Sequence, residues 1–259
     1  MIGGINFIPY LNDDKQIITN KYNMMKIKYK LPLFATIDHL TLSEYELDGL
    51  KKIVSESAEN FESVLTSNKK LCGVHHELAK DVYSNFFQIS LTESNNNKEL
   101  ISLDDCKLDS LNYNSLSGFK NKKKMSELTG SAINEKEYNS KTIFYQKYNN
   151  ILEPIIKKFK SPPTRIRLVK LNANSSIPPH IDYDPSYSVR IIIPIFSDEE
   201  CLNLFWAKNK VETVIFKPGN AYFLNTGFKH AVMNFSKNDR YTFMISVDGI
   251  KDIENIIEK

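Results

Sequence analysis

The chain has little cysteine, little excess charge and no long apolar run, and each shortage excludes something. Its three cysteines, Cys72, Cys106 and Cys201, are odd in number and far apart. No Cys-x-x-Cys spacing joins them, so neither a zinc knuckle nor a redox pair is expected, and a reduced intracellular protein fits best. The 34 basic and 31 acidic residues leave a formal charge of only +3, spread along the chain. That surplus is too small to imply nucleic acid or an anionic membrane as partner. No apolar run approaches membrane-spanning length, and Met1–Pro9 lacks a basic segment followed by a long apolar one. The expectation is a cytoplasmic protein with no nucleic-acid or membrane partner, and its oligomeric state is not readable from the sequence.

With 259 residues, 41% of them hydrophobic and 25% charged, the chain can bury a full core as one large domain or as a domain with a helical extension. Met25–Leu31 alternates apolar residues with lysines and reads as a half-buried strand at a sheet edge, ending near Pro32. Thr41-Leu42-Ser43-Glu44 has the form of a capping box. Leu47, Leu50, Ile53, Val54, Phe61, Val64 and Leu65 follow at helical spacing. A strand is expected within Tyr83–Leu91. Between Ser94 and Glu137 periodicity fades into serines, asparagines and the run Lys120–Lys124, which reads as loops with a solvated lysine face. In an enzyme, an irregular segment of this length frames or covers the active site. Tyr138–Phe159 reads as a helix interrupted near Pro154.

After Pro163 the texture changes to short apolar runs punctuated by turn residues. Eight strands are expected: Arg165–Leu171, Ile177–Asp182, Ser188–Phe196, Leu202–Ala207, Val211–Lys217, Ala221–Asn225, His230–Phe235 and Arg240–Val247. Eight short antiparallel strands make a double-sheet jelly roll. The expected architecture is therefore mainly β with N-terminal helices. Residues 1–160 form a helical and irregular region that packs on and frames the core, and residues 161–259 form a cupin-like double-stranded β-helix.

Chemistry concentrates in that second part. His180-Ile181-Asp182 is followed at a distance by His230. Side chains at i and i+2 of an extended segment point to one side, and Pro178 and Pro179 favour extension there. Two imidazoles and one carboxylate can cap one face of an octahedral ion and leave about three positions open, as in non-haem Fe(II) oxygenases. Taken singly, each residue also has an ordinary structural role: His180 at a strand end, Asp182 in an Asx-type turn, Arg190 and Arg240 as surface charges. His75-His76-Glu77 is a poorer ligand set, because adjacent side chains diverge on helix and strand alike. His39 stands alone. Zn(II) hydrolysis is a further reading of the triplet, but no His-Glu-x-x-His helix accompanies it.

The order of the blocks around these residues resembles the 2-oxoglutarate/Fe(II) dioxygenases, in the aspartyl/asparaginyl β-hydroxylase-like branch that includes proline hydroxylase-like relatives. The resemblance is carried by Arg165-Ile166-Arg167-Leu168, Ile177–Asp182, Arg190–Ile195, Phe216–Leu224, His230–Asn234 and Arg240. It implies that His180, Asp182 and His230 hold Fe(II), with 2-oxoglutarate and O2 as cosubstrates. Arg240 and Thr242 then anchor the distal carboxylate of 2-oxoglutarate, and Arg190 resembles the branch's second arginine, directed toward a carboxylate near the metal. The implied reaction hydroxylates an unactivated C–H of an amino acid or peptidyl side chain and converts 2-oxoglutarate to succinate and CO2. Asp182 departs from the vertebrate-type aspartyl hydroxylase, which lacks the carboxylate ligand, and so favours the full-triad members. Tyr183, Tyr187, Trp206 and Asn225 are pocket candidates by proximity in sequence. The rival class is a non-enzymatic cupin-like barrel that binds a small molecule.

Overall fold

The computed structural model describes residues 27, 29–63, 84–94, 100–102, 131–207 and 210–257. In chain order its elements are β1 (Phe34–Thr36), α1 (Glu44–Glu56), β2 (Glu62–Ser63), β3 (Phe86–Ser90), β4 (Thr92–Ser94), β5 (Leu100–Ser102), β6 (Ser131–Ile133) and β7 (Tyr138–Lys141). Two short helices follow, α2 (Ile143–Lys147) and α3 (Asn149–Ile156). The chain then runs through β8 (Pro163–Leu171), β9 (Ser175–His180), β10 (Val189–Phe196), β11 (Cys201–Ala207), β12 (Lys210–Ile215), β13 (Tyr222–Leu224), β14 (Lys229–Asn234) and β15 (Arg240–Val247).

The last eight strands divide between two sheets in the alternating order of a double-stranded β-helix. One sheet runs β1-β13-β10-β15-β8-β3-β2 and the other β12-β11-β14-β9, with antiparallel pairing throughout. Strands β1, β2 and β3 come from the first 100 residues and extend both edges of the larger sheet.

That larger sheet is buried on both faces, and its period-2 alternation sorts side chains between two environments. From β8, β10 and β15, the residues Ile166, Leu168, Val189, Ile191, Ile193, Phe243, Ile245 and Val247 point to the back. There they form the main core with Leu50, Ile53 and Val54 of α1 and Leu152 and Ile155 of α3. The alternate residues Arg165, Arg167, Arg190, Arg240, Thr242 and Met244 point forward, toward the smaller sheet. A front face carrying this many polar groups needs a purpose, because a guanidinium without a partner is costly to bury.

Several expectations are corrected near the N-terminus. Ile27 and Tyr29 are helical, and the sheet edge is formed by Phe34–Thr36 instead. The capping box is real but sits two residues later. Ser43 accepts from the Glu46 N–H, and Glu46 accepts from the Ser43 N–H at 2.8 Å, so Leu42 is the residue before the cap. The helix stops at Glu56; Phe61 lies beyond it, and Val64 and Leu65 lie outside the described residues. The long helix expected over Tyr138–Phe159 begins as a strand, and its break falls at Tyr148 rather than Pro154. Thr142 caps α2 through its hydroxyl, which accepts from Tyr145 N–H at 3.2 Å. Tyr148 then turns back into the core and its hydroxyl lies 3.2 Å from that of Ser57. His75-His76-Glu77 and Lys120–Lys124 lie outside the described residues.

Candidate metal centre

Strands β9 and β14 present the two histidines opposite each other. His180 and His230 are cross-strand partners, which brings their ring centroids to 4.3 Å. His180 is the last residue of β9, so Asp182 lies past the strand end and the strand geometry expected for the pair stops at its first member. Asp182 is fixed another way. Its N–H donates to the carbonyl of Thr226 at 3.0 Å, and the Thr226 hydroxyl donates back to the carbonyl of Tyr183 at 2.9 Å. The outcome is a cluster in which one ligand atom each from His180, Asp182 and His230 lies within 4.8 Å of the others.

Both imidazoles are oriented by the same device. His180 Nδ1 lies 2.8 Å from the carbonyl of Pro178, and His230 Nδ1 lies 3.0 Å from the carbonyl of Phe228. A carbonyl oxygen only accepts, so Nδ1 donates in each ring and Nε2 is the nitrogen left to serve as a ligand. Backbone support of this kind orients metal-ligating histidines. Burial, then the neighbouring His180, hold the His230 pKa down to about 4, which leaves the ring neutral at pH 7. Burial alone would raise Asp182, but His180, Arg190 and His230 together hold its carboxyl well below the usual range. Two imidazoles, each held through Nδ1 by a backbone carbonyl, and one ionised oxygen donor form a set suited to Fe(II).

The cluster opens on a cavity of about 280 Å³ between the two sheets. On its wall Arg240 is 4% exposed. Its Nη2 donates to Asn203 Oδ1 at 3.1 Å, while Nε and Nη1 are buried without a partner. Burial lowers its pKa to about 10, so it remains a cation at neutral pH. Thr242, two residues along β15, lines the same cavity. A buried guanidinium with two spare donors beside a hydroxyl is a place prepared for an anion.

Arg190 meets two carboxylates, one of them in the metal cluster. Its Nη2 donates to Glu135 Oε1 at 2.8 Å and its Nη1 stands 3.5 Å from Asp182 Oδ2. The carboxylates it meets are the chain's own, and through them it ties the triad to residue 135. Glu135 is fully buried and also accepts from Arg165 Nη1 at 2.6 Å and from the hydroxyls of Ser188 and Ser246. Burial would raise its pKa, but Arg190, Arg165 and Arg167 bring it down to about 2. Arg165 holds its place with φ of +36°, a strained conformation for a side-chain-bearing residue, beside a register shift in the β8–β15 ladder.

Of the four pocket candidates, Tyr183 lines the cavity. Tyr187 packs on Tyr183 and donates to Asn134 at 2.7 Å. Trp206 lies under Lys229, and buried Asn225 donates to the carbonyls of Leu31 and Pro32. None of these three is part of the cavity wall. His39 meets Asp252 at 3.1 Å, on the back of the sheet. Glu135, Arg165, Arg167, Asn203 and Thr226 line the cavity without having been assigned to it from the sequence. Only the two arginines left a signal there, as charged residues at alternate positions of an apolar strand.

Residues 131–249 match the family model of the aspartyl/asparaginyl beta-hydroxylases, a stretch that contains every residue of the triad and the arginine wall. No curated protein matches the chain. Among solved structures, it is similar to an oxidoreductase of the 2OG-Fe(II) oxygenase family from Burkholderia pseudomallei, at 8% identity over 92% of each chain and a TM-score of 0.46. It is also similar to a prolyl hydroxylase from Trichoplax adhaerens in complex with a hypoxia inducible factor peptide fragment, at 11% identity over 93% of this chain and 96% of that one, with a TM-score of 0.46. A non-heme alpha ketoglutarate dependent epimerase from nogalamycin biosynthesis aligns at 8% identity over 87% of this chain and 82% of that one, with a TM-score of 0.45. The match, over a little under half of the chain, supports a hydroxylase, and the triad within it is a donor set that fits the Fe(II), 2-oxoglutarate and O2 chemistry of that kind of enzyme.

Proposed function

We propose that this chain, with residues 131–249 of aspartyl/asparaginyl β-hydroxylase type, uses its cavity to hydroxylate an unactivated C–H of an amino acid or of a side chain in a peptide. In this reading His180, Asp182 and His230 hold Fe(II), and Arg240 with Thr242 grips the distal carboxylate of 2-oxoglutarate. The observation that carries it is the pairing of two complementary donor sets on one cavity: three ligand atoms within 4.8 Å of one another, and a buried arginine with two donors that no protein group meets.

When bound, iron would bring 2-oxoglutarate and O2 together, with O2 as the oxidant: one of its oxygen atoms would end in succinate, released with CO2, and the other in the hydroxylated substrate. The chain supplies the geometry. The Pro178 and Phe228 carbonyls fix both Nε2 atoms toward the metal position, and Arg190 holds Asp182 ionised and oriented. Arg240 fixes the cosubstrate at its far end with charge-assisted hydrogen bonds. Buried Phe205 lies nearly parallel to His230, with ring centroids 6.2 Å apart. A cavity of about 280 Å³ is at the small end of ligand sites, which run roughly 300–1,000 Å³. That size favours a small molecule or a single side chain as the group hydroxylated. The intracellular, reducing setting is part of the proposal and rests on the cysteine pattern. No helix of the described residues is long and apolar enough to cross a membrane.

The test is anaerobic reconstitution with Fe(II) and 2-oxoglutarate, followed by a succinate-release assay with free amino acids and peptides in air. The chelate's visible absorption band and substrate-dependent succinate are expected. His180→Ala and His230→Ala should each lose most iron binding and all turnover, with Asp182→Ala milder in binding. Full activity in purified His180→Ala would refute the site. A wild-type protein that forms no band and releases no succinate would favour a binding barrel.

A further inference from the structure

The smaller sheet has an outer face that alternation alone does not explain. Asn203, His230 and Val232 point inward to the cavity, so their neighbours along β11 and β14 point outward. An antiparallel sheet with one solvated face carries polar residues on that side. This one does not. Leu202 lies between Ile215 of β12 and Met233 of β14, and Leu204 lies between Thr213 and Ala231. Trp206 completes a third row between Val211 and Lys229, whose ammonium sits over the indole at 5.1 Å. Lys229, at one corner, is the one charge among these nine positions.

Val211 and Ile215 are 49% and 43% exposed, and Leu202, Leu204, Trp206 and Met233 are half-buried. Helices α1 and α3 cover the back of the larger sheet, but none of these outward side chains belongs to a core cluster of described residues. Four strands spaced as in any sheet, with six residues each, make a face of roughly 19 by 20 Å, the size of patch that marks an interaction site. Two such faces stacked on each other cover roughly 800 Å² in plan, and the relief of the side chains adds accessible area toward the 1,200 Å² at which specific interfaces begin. Composition narrows the partner. Transient interfaces are about as apolar as any surface, whereas permanent homodimers meet through apolar faces with charge kept to the rim. The face also matches itself. Ala231, with no side chain beyond Cβ, leaves a hollow beside Leu204, and a twofold axis lets the Leu204 of each copy enter the hollow of the other.

We propose that this face is the interface of a homodimer, in which the outer faces of two smaller sheets pack on each other about a twofold axis and take Trp206 out of water. The occupant is a second copy of this chain. The contact backs β11 and β14, which carry Asn203 and His230 on their inner side, and leaves each cavity on the side away from the partner. It holds whether or not the cavity is that of an oxygenase.

Trp206 is the chain's single tryptophan, so its fluorescence reports this face and no other. The experiment dilutes the full chain from high micromolar to nanomolar concentration. Sedimentation equilibrium is expected to give twice the 29.9 kDa of one chain at the upper end, and iodide quenching of Trp206 is expected to rise as the dimer dissociates. Val211→Glu combined with Ile215→Glu puts carboxylates where solvent already reaches in the single chain, so the circular dichroism should not change. The same carboxylates have no counterion in the dimer, and the dissociation constant should rise about a hundredfold or more. The wild-type dilution series decides without any variant. A wild type that is monomeric at every concentration would overturn the proposal, and a different protein would then be the candidate for this face. Trp206 shielded from iodide equally at all concentrations would also overturn it, because another stretch of the same chain would then cover the sheet. A dimer that leaves Trp206 open to iodide, or that the double variant does not weaken, would use a different surface and equally refute the assignment.

Discussion

Arg240 and Arg190 show how differently two residues of one type behave on one face of one sheet. Arg240 was legible because an arginine in the alternating strand Arg240-Tyr241-Thr242-Phe243 must face inward with Thr242, and an inward guanidinium requires an anion. The structure leaves two of its donors unmatched. Arg240→Lys replaces a planar fork by a single ammonium. It should raise the 2-oxoglutarate Kd by one to three orders of magnitude, about 1.5–4 kcal/mol, with iron binding intact. An anaerobic titration followed by the visible band measures this, and an unchanged curve would sink the clamp. Arg190 was legible as a charge but not as to its partner, because Glu135 lies 55 positions away in a stretch without periodicity. Its engagement with Asp182 moves the expected effect of Arg190→Lys from cosubstrate to metal: iron affinity should fall more than 2-oxoglutarate affinity does. Equal losses in the two titrations, or a larger loss for 2-oxoglutarate, would restore the cosubstrate role.

At the scale of elements, the eight strands from Arg165 onward were readable because a sheet buried on both faces gives short apolar runs, and Gly219 at φ +82° marks the turn after Lys217. Observed ends agree with expected ones to within about two residues, as strand limits usually do. The difference with a consequence is at β9, which ends at His180 because the chain must leave the ladder for the Asp182 N–H to reach Thr226. The helices were less legible. Helical spacing continued past Glu56 because Phe61, outside the helix, packs against the same core. The capping box at Ser43 offers a test independent of the site, since α1 packs on the back of the larger sheet. Glu46 completes the box and also accepts from Lys158 at 2.6 Å, tying α1 to the end of α3. Ser43→Ala should cost about 1 kcal/mol, or roughly 2–4 °C in Tm, with 2-oxoglutarate binding unchanged. A loss of 2-oxoglutarate affinity in that variant would mean the two faces of the sheet are coupled.

For the whole molecule, the site is assembled from parts distant in sequence, and Glu135 joins them. It comes from the irregular segment before β7, and it is held by Arg165 of β8, Arg190 of β10 and Ser246 of β15. Nothing in the local sequence marks it, since an acidic residue in a polar stretch is ordinarily solvated. Of the stretch expected to frame the site, Glu135 lines the cavity, and residues 95–99 and 103–130 lie outside the described residues. Its pKa supplies the sign of the last prediction. Glu135 titrates near 2 when folded against 4.5 as its ordinary value, so the unfolded chain binds its proton first as pH falls. The stabilisation is therefore complete above about pH 4.5 and drains away between 4.5 and 2. Glu135→Gln leaves Arg165 without its anion and Arg190 with Asp182 alone, and at pH 7 should cost roughly 3–5 kcal/mol. Other carboxylates with lowered pKa values, such as Glu46 and Asp239, titrate in both proteins and cancel in the difference. Denaturant unfolding of metal-free wild type and Glu135→Gln from pH 7 to pH 3 should then show a stability gap that narrows steadily below pH 4.5. A gap that stays constant to pH 3 would mean that Glu135 holds these strands by shape and hydrogen bonding rather than by its charge.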